Sequence, residues 1–170
     1  GNPEGLAKLE AAKKGIPLYD EEGRDTPEYS ALVEAMRRIT DTERIKLVIN
    51  INAPVSEDWL AVYESILRDM SLPCGLKAYM LRIDEQSLDR SFLPFYRERY
   101  AARVKLLKTA AGHCMTDLLV AFNAVDTYAP AKRPKDGIEE RQLKAVLLRT
   151  IVEANTPETF KLAEEHFRRA

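Results

Sequence analysis

The sequence predicts an all-α fold made of antiparallel helix pairs. Three observations predict it. Apolar residues recur at i, i+3, i+4 and i+7 in segment after segment, the spacing that puts them on one face of a helix. Glycine is scarce, with seven in 170 residues, while prolines and capping residues stand where those segments begin. No stretch has a clear partner strand, so a sheet has nothing to build on.

Taken in order, Asn2-Pro3 opens a first helix that Gly15 closes, and residues 15–25 read as a polar loop. Thr26-Pro27 opens the next, carrying Tyr29, Leu32, Val33, Met36 and Ile39 at helical spacing. The run Leu47, Val48, Ile49 and Ile51 would suit a buried strand, but the absence of a partner makes helix the better expectation. Ser56 is expected to cap an amphipathic helix with Trp59, Val62, Tyr63, Ile66, Leu67 and Met70 on one face. Pro73 starts a shorter helix reaching Ile83. Pro94 starts a long one, with Tyr96, Tyr100, Val104, Leu107 and Ala111 along a stripe, that Gly112 breaks or weakens before Leu118, Leu119, Phe122 and Val125. YAPAKRPKDG, at 128–137, is a linker, after which Asp136 and Glu139 form a capping box. Leu143, Val146, Leu147, Ile151 and Ala154 follow on one face until Asn155, and Thr156-Pro157 opens the last helix. Helices joined by short proline-marked turns stack side by side, so the array is expected to be superhelical, HEAT- or armadillo-like. Trp59, Ile66, Leu107, Leu119, Leu147 and Ile151 are its expected core.

A chain of this length buries roughly 70% of its extended surface, so residues 1–170 form one all-α domain or a fragment of one. With 26 basic and 27 acidic side chains there is no net field to gather nucleic acid. Every apolar run is too short and too interrupted by charge to cross a bilayer. Cys74 and Cys114 lack metal-ligand spacing and make no disulfide scaffold, which favours the reducing cytoplasm.

Chemistry-bearing residues are few. His113 and His166 are the two histidines, far apart, and no His-Glu-x-x-His is present to seat a zinc ion and its water. His166 follows Glu164 and Glu165, yet a partly exposed residue in a charged helix is the commoner explanation. His113 and Cys114 are neighbours, but adjacent helical positions point about 100° apart and share a proton poorly. Tyr96 and Tyr100, near Phe92 and Phe95 with Arg97, Arg99 and Arg103 between, could stack on RNA; a helix–helix seam flanked by arginine stems is the better reading. Lys132, Arg133 and Lys135 belong to the solvated linker. No catalytic, cofactor-binding or metal-binding residue is assigned in this chain.

The segment GIEERQLKAVLLRTIVEANTPETFKLAEEHFRRA resembles the aminopeptidase N family, in which an Arg-x-Leu-Lys/Arg sequence opens a helix; those positions are Arg141, Leu143 and Lys144. A later aromatic shortly before an alanine is matched by Phe167 and Ala170. MTDLLVAFNAV is similar to the family's Asp/Glu-Leu-Leu-x-x-Tyr-x-Ala element, through Asp117, Leu118, Leu119, Phe122 and Ala124. SEDWLAVYESILRDMSLPCGLKAYML looks like the preceding helix pair, with Leu72 and Pro73 at its turn. The resemblance covers residues 56–170 and leaves residues 1–55 unplaced. Ala145, where the family has asparagine, and the RIDEQSLD turn mark a divergent member.

The resemblance implies the C-terminal helical domain of a zinc-dependent alanyl aminopeptidase. It implies a cytosolic parent enzyme that removes N-terminal residues from peptides, with zinc held in a preceding catalytic domain and none in this chain. Partners would be that catalytic domain, within one polypeptide, and the parent's peptide substrates. The chain itself would be inactive, scaffolding the catalytic domain and limiting access to its cavity, and would be a piece of a longer sequence. The alternative is a free-standing helical-repeat adaptor for a protein or peptide. Phe160, Leu162, Ala163 and Phe167 give the last helix more apolar surface than one neighbour covers, so that helix is expected either to self-associate or to be poorly ordered.

Overall fold

The computed structural model describes residues 21–22, 26–83, 95–125 and 137–169. The expected helix from Asn2 to Gly15, most of the loop after it, the side chain of Tyr29, the RIDEQSLD turn beyond Ile83, Phe92, Pro94, the linker up to Asp136 and Ala170 lie outside them.

Six α-helices occur among the described residues, and no strand: α1 (Pro27–Ile49), α2 (Glu57–Arg68), α3 (Cys74–Leu81), α4 (Tyr96–Ala124), α5 (Ile138–Ile151) and α6 (Pro157–Arg169). A 3-10 turn, Val152–Ala154, follows α5. The all-α expectation holds, including the ambiguous segment: α1 continues to Ile49. There Leu47 is buried while Ile45 and Ile49 are exposed, so helical spacing, not strand alternation, decides which apolar groups leave water.

The helices fall into two compact units. One comprises residues 1–65 and 83–106, the other residues 66–82 and 107–170.

In the first unit, Leu32, Met36, Leu47, Trp59, Val62 and Tyr63 are buried. The Trp59 indole N–H donates to Thr40 Oγ1 at 3.1 Å, so the largest side chain is buried with its donor satisfied. The loop between α1 and α2 is held by two lysines. Lys46 Nζ donates to the Pro54 carbonyl (2.7 Å), and Lys105 Nζ to those of Ile51 (2.6 Å) and Ala53 (2.7 Å). Ser56 precedes α2 as expected and its carbonyl accepts from Leu60 N–H. Its hydroxyl, however, donates to the buried Glu43 carboxylate (2.7 Å) and caps nothing. Burial alone would raise the Glu43 pKa; the hydrogen bonds from Lys46 and Ser56 outweigh it and hold the carboxyl below its ordinary value.

Tyr96 and Tyr100 were expected on the buried stripe of the long helix and are exposed, while Leu107 and Ala111 further along are buried. Helix α4 is weakened near Gly112 as expected, but the irregularity falls two residues later: two helical stretches meet at a kink at Cys114 (φ −115°, ψ 19°).

In the second unit, α3 packs against α5. Gly75 is the close approach: a Cβ there would lie 2.8 Å from Glu139 Cδ. Lys77 is buried beneath the end of α2, where its ammonium donates to the Leu67 (2.7 Å) and Asp69 (3.2 Å) carbonyls. These are groups a helix end leaves unsatisfied, and a cation is favoured there. Because α2 has ended at Arg68, Met70 is 69% exposed instead of extending the apolar face. At α5, Gly137 is the N-cap with φ 74° and no side-chain bond closes it. Asn155 adopts the left-handed conformation (φ 56°) that stops the 3-10 turn. Thr156 and Thr159 then cap α6 reciprocally: Thr159 N–H donates to Thr156 Oγ1 (3.2 Å), and Thr156 N–H to Thr159 Oγ1 (3.1 Å).

Candidate functional site

Three segments of the second unit bring chemistry-bearing side chains together. Helix α4 ends in D-L-L-V-A-F-N-A, which buries Leu118 and Phe122 and leaves Asn123 exposed. Helix α5 carries Leu143, Leu147 and Ile151 inward, and Lys144 lies among them. Helix α6 is strongly amphipathic and turns His166 toward α4.

Lys144 is 3% exposed, and its ammonium stands 4.4 Å from the centroid of the Phe122 ring, a cation–π contact in a largely dry setting. The His166 imidazole meets the same ring edge-on, with centroids 5.6 Å apart and planes at 70°. Burial and the neighbouring Lys144 charge both disfavour an imidazolium, so the His166 pKa lies below its ordinary 6.5. These groups border a pocket of about 340 Å³, completed by Asn123, Val125, Leu162, Glu165 and Arg169. Lys144, Glu165 and Arg169 are the charged side chains of this lining.

The residues shared with the aminopeptidase N family have structural explanations here. Phe122 and Lys144 meet in this junction, Leu118 and Leu143 are buried, and Asp117 accepts from Arg68 Nε at 3.1 Å. Phe167 is 75% exposed, and Leu119 is only half-buried instead of in the core. The other five expected core residues are buried.

The remaining candidates do not converge. His113 is exposed while Cys114 beside it is buried, so they face different surroundings. Neither cysteine forms a disulfide. Burial pushes the Cys74 thiol up, with Glu140 and then Glu139 adding to it against Lys77, which leaves a poor nucleophile. Glu164, next to His166 in sequence, pairs instead with Arg168. Among the described residues no group of three His, Cys, Asp or Glu side chains is placed to hold a metal ion. No described helix is long and apolar enough to cross a membrane.

The pocket was not read from the sequence, although one signal for it exists. Lys144 precedes Leu147, Leu148 and Ile151 by three, four and seven positions, so it occupies the buried stripe. A lysine there must either reach water or find a partner inside.

A family model described as a domain of unknown function (DUF3458_C), ARM repeats, matches residues 26–170, starting ahead of the resemblance seen from residue 56. No curated protein matches the sequence. The fold is similar to part of the crystal structure of Legionella pneumophila aminopeptidase A in complex with aspartic acid, at TM-score 0.66 and 16% identity. That match covers 85% of this chain and 18% of the Legionella chain, so this chain spans less than a fifth of that protein's length. A run of helices with Pro-marked starts and a family match over most of its length leads to one assignment: the chain belongs to the DUF3458_C family of ARM-repeat domains, a C-terminal helical domain of aminopeptidase N-like proteins.

Proposed function

We propose that the chain is the non-catalytic helical part of a zinc-dependent aminopeptidase, where it supports the catalytic domain and limits which peptides reach the cavity. The observation that carries this reading is the pairing of 85% coverage of this chain with 18% coverage of an aminopeptidase chain. The chain corresponds to one helical stretch of a much larger enzyme. In this reading zinc and the substrate-amine site belong to the catalytic domain, and the setting is the cytosol. Contact with that domain would remain within one polypeptide. The contribution to catalysis is steric: a wall of rigid helices admits short, unfolded peptides and keeps out folded ones.

The test compares the complete protein with the 170-residue chain and with a form lacking residues 26–170. The complete protein should release N-terminal residues in a zinc-dependent manner. The 170-residue chain should leave aminoacyl anilides intact and retain no stoichiometric zinc after chelator washing. The deleted form, if it stays folded, should lose discrimination between short and long peptides. A coding sequence with no His-Glu-x-x-His anywhere, or cleavage by the 170-residue chain that survives repurification, would overturn the proposal. The first of those results would favour the free-standing adaptor.

A further inference from the structure

We infer that the end of α1 and the loop after it, through Ile45, Ile49 and Ile51, form the face on which the catalytic part of the same polypeptide seats. This rests on the proposed function. The outward stripe of α1 changes character along its length. Earlier in the helix Glu34 pairs with Arg37 and Arg38, as a water-facing surface does. Further on, Ile45 is 58% and Ile49 81% exposed, and Ile51 in the loop is 40% exposed. Asn50, Asn52 and Pro54 are exposed as well. None of these six carries a charge. Apolar groups among neutral polar ones are the composition of an interface core, which is depleted of charged side chains.

The loop is also held still. Ser56 N–H donates to Glu43 Oε1 (2.8 Å) and Asn52 N–H to Asn50 Oδ1 (3.1 Å), while Lys46 and Lys105 fix the Pro54, Ile51 and Ala53 carbonyls. Ile45 and Ile49, β-branched and on a helix, each have one strongly preferred χ1. Little freedom is left to lose on docking, which removes a main cost of association. Area then decides the occupant. The three isoleucines expose on the order of 300 Å², whereas a stable complex of separate proteins buries about 800 Å² on each side. A second copy or a free partner would therefore be held weakly. A part of the same polypeptide needs less, because its tether supplies an effective concentration of about millimolar. The aminopeptidase match, with 18% of that chain aligned, leaves more than four-fifths of such a polypeptide to be seated. The absence of charge suits an apolar patch of folded protein and not a polyanion.

The test introduces Ile49→Cys into the 170-residue chain and into the complete protein. Maleimide labelling of residue 49 is read by mass spectrometry of its peptide, so other cysteines do not interfere. The thiol should react freely in the 170-residue chain and roughly tenfold or more slowly in the complete protein, the ratio for a face covered at least nine-tenths of the time. An Ile45→Ser, Ile49→Ser double variant should leave the melting temperature of the 170-residue chain unchanged and lower that of the complete protein. Equal labelling of the two forms, or equal destabilisation of both by the double variant, would overturn the docking face. Zinc-dependent release of N-terminal residues, measured on the same complete protein, judges the proposed function separately. Activity without protection at residue 49 overturns this face alone. Protection without activity overturns the catalytic part as its occupant.

Discussion

Leu147 and Lys144 stand one turn apart on α5, both out of water, and they carry opposite lessons. Leu147 has no exposed surface. Leu147→Ala should lower unfolding free energy by about 2–5 kcal/mol, the range for a buried leucine truncated in a packed core. Urea denaturation would check it, and a loss under about 0.5 kcal/mol would contradict the packing. The periodic leucines were readable because burial follows spacing. Lys144 was not, since its partner Phe122 comes from another helix and only the fold brings the two together. Glu43 and His166 give residue-scale predictions in acid. Both have lowered pKa values, so below their ordinary values the unfolded chain binds more protons than the folded one. The His166 contribution is complete above pH 6.5 and fades as pH falls below it. That of Glu43 is complete above 4.5 and is lost as pH drops further. Melting temperature should therefore decline in two stages on acidification. His166→Gln should flatten the upper stage and Glu43→Gln the lower, each without altering the other.

Among the helices, the boundaries were the most legible features, because caps and prolines act through neighbouring atoms. Thr26, Pro73, Asn155 and Thr156-Pro157 all mark ends in the structure. Faces extrapolated beyond a helix end failed, as at Met70, and so did the stripe through Tyr96 and Tyr100, whose exposure depends on what packs there and not on period. Gly112 and Gly137 make a contrasting pair. Gly112 is helical, and a Cβ there would meet nothing within 4 Å. Gly112→Ala should stabilise by about 0.4–1 kcal/mol, by reducing the freedom of the unfolded chain. Gly137 has φ 74°, and a Cβ would come within 3.1 Å of the Arg141 guanidinium. Gly137→Ala should destabilise by about 1–2 kcal/mol, the usual strain of a left-handed alanine. Thermal denaturation of the two variants should move in opposite directions. Destabilisation by Gly112→Ala would mean that the irregularity at Cys114 depends on the glycine two residues earlier.

For the molecule as a whole, the exposed aromatic groups of α6 are the feature most relevant to partners. Phe160 is 55% and Phe167 75% exposed, and seven positions place them on one helix face. Sedimentation of the 170-residue chain should reveal concentration-dependent association. A Phe160→Ser, Phe167→Ser double variant should abolish it while changing stability by no more than about 0.5 kcal/mol per site. A strictly monomeric chain at high concentration would contradict this. The aminopeptidase N resemblance was legible because its motif residues are local; which of them share a pocket was not. The division into two units was not legible at all, since each draws on separated stretches: 1–65 with 83–106, and 66–82 with 107–170. That interleaving shapes what happens during synthesis. When residue 106 has left the ribosome, every residue of the first unit is available to fold. The stretch 66–82 is also out, yet α5, against which its helix packs, has still to be translated. Leu76, Met80 and Leu81 must wait exposed through that interval. A nascent chain paused there is the form most in need of a chaperone, and a single cut after residue 106 in the finished polypeptide would keep every residue of the first unit together while parting the second from its stretch 66–82.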